Sequence, residues 1–141
     1  MKFETPRIAA EWAGAPVPGG TVTLNPALRQ MVTDIQTYAM TTYGWEFFIT
    51  CLLRTPAENE AEYNNDGHHD LGVHVIGNGG DIRTKDQNPT TVQAVANWVN
   101  RQWTYDPSRP HFLVALYEGQ GFGSSATHLH IQVNIHTVMN S

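Results

Sequence analysis

Two periodicities divide the chain. Leu28, Met31, Val32, Ile35, Tyr38 and Ala39 recur at three- and four-residue spacing, so they share one face of a helix. Asn25 offers an N-cap, Pro26 suits the first helical position, and Gly44 ends the segment. The signature returns at Asn88-Pro89, followed by an apolar stripe of Val92, Val95, Ala96, Val99 and Trp103 that stops before Pro107. Elsewhere the apolar residues crowd into shorter runs. Residues 45–53 are aromatic and β-branched and predict a central strand, and residues 111–117 predict another. Ile131, Val133 and Ile135 favour a last strand that includes His128 and His130. Residues 56–63 suit a short helix, and Asn64-Asn65-Asp66-Gly67 is turn-like. Residues 118–127, with three glycines and two serines, read as a flexible connector into the last strand. Residues 1–23 include Ala13-Gly14-Ala15-Pro16-Val17-Pro18-Gly19-Gly20, show no period, and predict an extended N-terminal arm. The expected fold is α+β: an antiparallel sheet with helices packed on one face, in a single domain over 1–141.

A chain of 141 residues, 40% of them apolar, can bury a sizeable core in one domain. The net charge of −5 gives no basic face for nucleic acid and no electrostatic reason to hold an anionic cell wall tightly. A single cysteine, Cys51, rules out an internal disulfide. Phe47, Ile49 and Leu53 surround it at alternate positions, so a buried core thiol is expected. Glu4, Pro6, Arg7 and Glu11 interrupt any signal-peptide core, and no stretch is long enough to span a membrane. Synthesis in the cytoplasm without a signal peptide, and no membrane partner, are expected.

Candidate chemistry gathers in two places. In a strand, His128 and His130 point to one side and Ile131 to the other. Upstream, His74-Val75-Ile76-Gly77-Asn78-Gly79-Gly80-Asp81 places three glycines between a histidine and an aspartate, enough for a tight turn that returns Asp81 toward His74. Together these offer two nitrogens and a carboxylate with a histidine to spare. Catalytic zinc commonly takes three such ligands and keeps a fourth position open. His68, His69, His111 and His136 read as structural or solvated, although His68-His69-Asp70 could line a cleft beside His74. Arg54 could pair locally with Glu58. Trp98 and Trp103 read as core.

The string His-x-x-Gly-x-Gly-x-Asp-Ile resembles the first metal motif of zinc D-alanyl-D-alanine carboxypeptidases and L-alanyl-D-glutamate endopeptidases. Ile49-Thr50-Cys51-Leu52-Leu53-Arg54-Thr55-Pro56 is similar to the strand and Arg-Thr segment preceding that motif. His128-Leu129-His130 resembles the His-x-His strand shared with lysostaphin-type peptidases and the hedgehog signalling domain. The resemblance covers roughly residues 24 to 135. It implies the hedgehog/DD-peptidase fold, Zn2+ held by His74, Asp81 and His130, His128 near the water or transition state, and Arg54 facing a substrate carbonyl or carboxylate. Where many of these enzymes carry an acidic general base, this chain has Thr127. Either His128 takes the role, or Glu118 reaches in, or catalysis is impaired. The implied function is a monomeric, phage-type bacteriolytic enzyme of the endolysin kind. It would cleave the peptidoglycan stem peptide after release to the cell wall, at an L-Ala–D-Glu or a D,D-bond. The alternative is a catalytically weak zinc-binding or wall-binding module on the same fold.

Overall fold

The computed structural model describes residues 1–66, 72–117 and 128–141, with backbone alone for 62–66. In chain order the elements are β1 (Lys2–Phe3), α1 (Pro6–Trp12), α2 (Pro26–Tyr43), β2 (Phe48–Cys51), α3 (Pro56–Asp66) and β3 (Gly79–Arg83). They continue with α4 (Pro89–Gln102), β4 (Trp103–Thr104), β5 (Ala115–Tyr117), β6 (His128–Gln132) and β7 (Val138–Met139). Among the described residues, five strands form a sheet in the order β1-β2-β3-β6-β5, and β4 pairs with β7 separately. β1 runs parallel to β2, whereas β2–β3, β3–β6 and β6–β5 are antiparallel. The architecture is thus mixed α/β, with a mostly antiparallel sheet and, among the described residues, four helices.

The long helices start where the Asn-Pro pairs place them. Asn25 Oδ1 accepts from the Ala27 amide at 2.9 Å, and Asn88 Oδ1 from the Thr90 amide at 2.8 Å. Gly44 closes α2 in the left-handed conformation at φ 66°. Leu28, Val32 and Ile35 of α2 and Val92, Val95 and Val99 of α4 join Ile49, Ile82, Leu129 and Ile131 of the sheet in one buried cluster. The β3–β6 register pairs Ile82 with Leu129 and Gly80 with Ile131, so these residues share the apolar face. Asp81 and His130 pair on the other face.

Several expectations are corrected. Residues 1–23 are not an extended arm throughout: Lys2–Phe3 pair with β2, and Pro6–Trp12 are helical. Thr5 caps that helix through its side chain, with Pro6 following it. Ile8 joins the core. The strand expected over 45–53 is limited to Phe48–Cys51, and it is β3 that occupies the centre of the sheet. Residues 64–66 end α3 rather than forming a turn, and Gly67 lies outside the described residues. Trp103 leaves the α4 stripe: its extended backbone ends the helix and begins β4, although its side chain is buried.

No helix among the described residues is long and apolar enough to cross a membrane. A cavity of about 430 Å³ lies between α2, α4 and β7, lined by Tyr38, Trp98, Trp103 and Met139 with Asp34. None of the candidate chemistry faces it.

Arg7 of α1 reaches Glu58 of α3 through contacts of 2.7 and 2.9 Å. Its hydrogen bonds, with those from Thr55, hold the Glu58 carboxyl at about 2, below the ordinary 4.5. A carboxyl depressed in the folded state stabilises above its unfolded value, and that contribution is lost as pH falls through the folded value. The thermal stability of the wild type is therefore expected to fall between about pH 4.5 and 2 more than that of Glu58→Gln. Parallel pH profiles of the two proteins would refute this.

Candidate metal centre

The face of the sheet opposite the core carries the chemistry, and register explains why. Asp81 stands beside His130, and Arg83 beside His128, across the β3–β6 pair. The alternation in His128-Leu129-His130-Ile131-Gln132 puts His128, His130 and Gln132 on this face together. β2 reaches it through an irregularity: Ile49 pairs with Ile82, but Cys51 pairs with Asp81. The extra residue is a bulge, and it swings Cys51 onto the Asp81 side while Leu52 packs near Gly80. Cys51 is therefore not the core thiol that simple alternation implies. It is half-buried, with its Sγ 3.7 Å from His74 Nδ1.

His74 arrives from a tight loop rather than a strand. The Val75 amide donates to the Gly72 carbonyl, and the Asn78 amide to the Val73 carbonyl at 2.8 Å. Gly77 adopts φ 80°, and a Cβ there would run into the Thr23 carbonyl. Its own carbonyl accepts from the Asn25 amide at 2.9 Å, tying the loop to the start of α2. Gly79 and Gly80 belong to β3 and not to the turn. The lack of a side chain at Gly79 is a packing requirement. A Cβ would meet Val73 Cγ2 at 2.7 Å and the Cε1 atoms of His74 and His130 at 3.4 Å each. Two imidazoles close over this strand because it is bare there. Gly79→Ala is expected to cost about 1–3 kcal/mol, the usual scale for overpacking. It should also weaken metal binding by pushing the rings apart. Unchanged denaturant midpoint and metal affinity in this variant would contradict the packing role.

Around Asp81 the groups converge. His130 Nδ1 lies 2.8 Å from Oδ1, His74 Nε2 lies 3.4 Å from Oδ2, Arg54 Nη2 lies 3.6 Å from Oδ2, and His128 Nε2 lies 4.0 Å from Oδ1. His74, Asp81 and His130 are buried, whereas the Arg54 and His128 side chains are 16% and 15% exposed. The cluster thus opens to solvent on the side of Arg54 and His128. Donor atoms of Cys51, His74 and Asp81 lie within 4.8 Å of one another, and these three could hold a metal ion.

The far nitrogens of both buried imidazoles are occupied. His74 Nδ1 lies 2.7 Å from the Leu52 carbonyl oxygen, which can only accept, so Nδ1 carries a proton and Nε2 faces Asp81. Gln132 Nε2 donates to the Leu113 carbonyl at 2.8 Å, which turns Gln132 Oε1 toward His130 Nε2 at 3.2 Å. Neither neutral tautomer of His130 then suits both neighbours, because Gln132 Oε1 and Asp81 Oδ1 are both acceptors. Double protonation would satisfy them, but burial outweighs the attraction of Asp81 and lowers the His130 pKa. For His74, burial opposes charge, yet Asp81 and Cys51 together raise its pKa well above the ordinary value. For Asp81, burial likewise opposes charge, and His74 and His130 overcome it to hold the carboxylate ionised.

Five of the residues expected from sequence therefore meet at one point: His74, Asp81, His130, His128 and Arg54. The local pair weighed for Arg54 is not the one observed, since Glu58 binds Arg7. Glu118, Thr127, His68, His69, Asp70 and residues 119–126 lie outside the described residues. Cys51, Gln132 and the Leu52 carbonyl were not anticipated at the site. Only Gln132 left a signal, its two-residue spacing from His130. Comparison with known proteins gives no match to a family model, a curated protein or a solved structure.

Proposed function

We propose that the protein is a zinc-dependent peptidase of the hedgehog/DD-peptidase type that hydrolyses a bond in the peptidoglycan stem peptide. The observation that carries the metal is the pair of buried imidazoles whose far nitrogens are engaged by carbonyl oxygens. Both aim their remaining nitrogen at one buried carboxylate. A divalent cation between them would resolve the acceptor–acceptor contact at His130 and replace the proton on His74 Nε2. The nitrogen and oxygen donors suit zinc. His74 Nε2, Asp81 and His130 Nδ1 form the proposed set, which leaves Cys51 outside it. The thiol approaches the ring at Nδ1, the nitrogen already committed to Leu52. Outer partners such as the Leu52 carbonyl and Gln132 fix ring orientation and tautomer.

Zinc at this point would supply Lewis acidity and a nucleophilic water at neutral pH. His128 stands at the solvent side of Asp81, where its imidazole can take a proton from the attacking water and return it to the leaving amine. Arg54, on the same open side, presents a planar fork suited to a peptide carbonyl or carboxylate. Asp81 and the two buried histidines stay fixed, because they are enclosed by strand, loop and bulge.

Mass spectrometry of muropeptides after incubation of peptidoglycan with the zinc-loaded protein tests the activity and identifies the bond. New amino or carboxyl termini that vanish with chelator are expected. Intact stem peptides beside stoichiometric zinc would leave a binding module on this fold as the better account.

A further inference from the structure

Three consecutive residues after the β2 bulge are held alternately from two sides. The Leu52 carbonyl accepts from His74 Nδ1 at 2.7 Å, and the Arg54 amide donates to the His74 carbonyl at 3.2 Å. Leu53, between them, turns both of its backbone groups onto α1. Its amide donates to Glu11 Oε1 at 3.1 Å, and its carbonyl accepts from Arg7 Nη2 at 3.0 Å. Glu11 Oε2 accepts in turn from Arg7 Nε at 2.9 Å, which closes a ring of carboxylate, guanidinium and peptide. Arg7 is anchored on its outer side by Glu58, whose Oε1 also accepts from the Thr55 amide at 2.8 Å.

Glu11 is only 2% exposed. A carboxylate is costly to bury, and an apolar side chain would fill the same space without that cost. What a carboxylate adds is direction. It fixes one peptide amide and one guanidinium, and the guanidinium fixes the carbonyl of the same residue. We infer that Arg7 and Glu11 are positioning residues of the metal centre: α1 holds the Leu53 peptide, and so sets the Leu52 carbonyl that orients His74. The inference rests on the proposal that His74 coordinates metal through Nε2. The N-terminal helix, absent from the expected site, becomes part of its frame.

Glu11→Gln would set an amide N–H against Arg7 Nε or against the Leu53 amide, whichever way it turns. Arg7→Lys keeps a charge at a half-exposed position but cannot span Glu11, Leu53 and Glu58 together. Asp106→Asn, whose partners are Ser108 and Arg109, is the stability control. Three quantities are read: zinc affinity by chelator competition, the His74 Nδ1–H resonance in the metal-free protein, and the thermal midpoint. Both α1 variants are expected to bind zinc about tenfold more weakly or worse, the scale on which outer partners act. They should also lose the slowly exchanging Nδ1–H signal, while Asp106→Asn keeps both. Variants that melt earlier yet retain wild-type zinc affinity and the Nδ1–H signal would overturn the inference. If the wild type binds no zinc, the proposed function fails on its own, and the Nδ1–H signal alone decides the positioning role: loss in the variants supports it, retention overturns it.

Discussion

His74→Ala is expected to abolish stoichiometric zinc binding, a larger effect than the roughly 10–100-fold loss that follows from removing an outer partner. The imidazole supplies one of three proposed donors and is also the main counter-charge of a buried carboxylate. The metal-free variant should therefore be less stable than the metal-free wild type, with Asp81 left to Arg54 and the remaining histidines. A pH signature accompanies the loss. His74 holds its proton well above the ordinary range in the metal-free protein, so a metal must displace that proton. Wild-type zinc affinity should then rise with pH, and calorimetry in buffers of different ionisation enthalpy should detect protons released on binding. Full zinc stoichiometry in His74→Ala would remove this residue from the ligand set.

His128→Ala should behave in the opposite way, binding zinc and remaining folded but losing at least about a hundredfold in rate, the usual scale for a general acid–base group. Its Nε2 is 4.0 Å from Asp81 Oδ1, at the edge of the cluster, while His130 occupies the buried position beneath. The side chain is partly open to solvent, as proton exchange with an incoming substrate requires. Glu118→Gln is the informative companion. If it is inactive while His128→Ala keeps wild-type turnover, the proton is handled by the glutamate. If neither substitution changes a negligible starting activity, the chain is better described as a zinc-binding module.

How far the sequence could be read depended on whether a residue type had one physical use or several. Asn25-Pro26 and Asn88-Pro89 serve one purpose, and both helices start there. His128 and His130 share a face because strand periodicity leaves no alternative. Glycine is ambiguous. Gly77 is needed for its positive φ, as a tight turn suggests, whereas Gly79 is needed because two imidazoles and Val73 occupy the space of its missing Cβ. Nothing in the string Gly77-Asn78-Gly79-Gly80 separates these uses. Cys51 was misplaced for a different reason. A bulge shifts register by one residue and exchanges faces, and β2 carries no local mark of it. The short α1 has a Thr5-Pro6 start of the same kind as the Asn-Pro pairs. Seven residues are too few to display a periodic stripe, and the prolines and glycines after it dominate the composition.

Sequence separation within the cluster sets when it can form. Asp81 and His130 are 49 residues apart, and they meet only through the β3–β6 ladder. The loop between His74 and Asp81 is short, but one histidine and one carboxylate make a poor chelate for a metal on a flexible chain. Capture of the proposed metal would therefore come late in folding, after a pairing whose long-range closure is slow. A cobalt-loaded refolding experiment would turn this into a clock: the visible ligand-field spectrum should appear together with strand pairing and not with the earlier helical signal. The metal would then act as a latch on a completed scaffold, leaving the hydrophobic core to guide assembly.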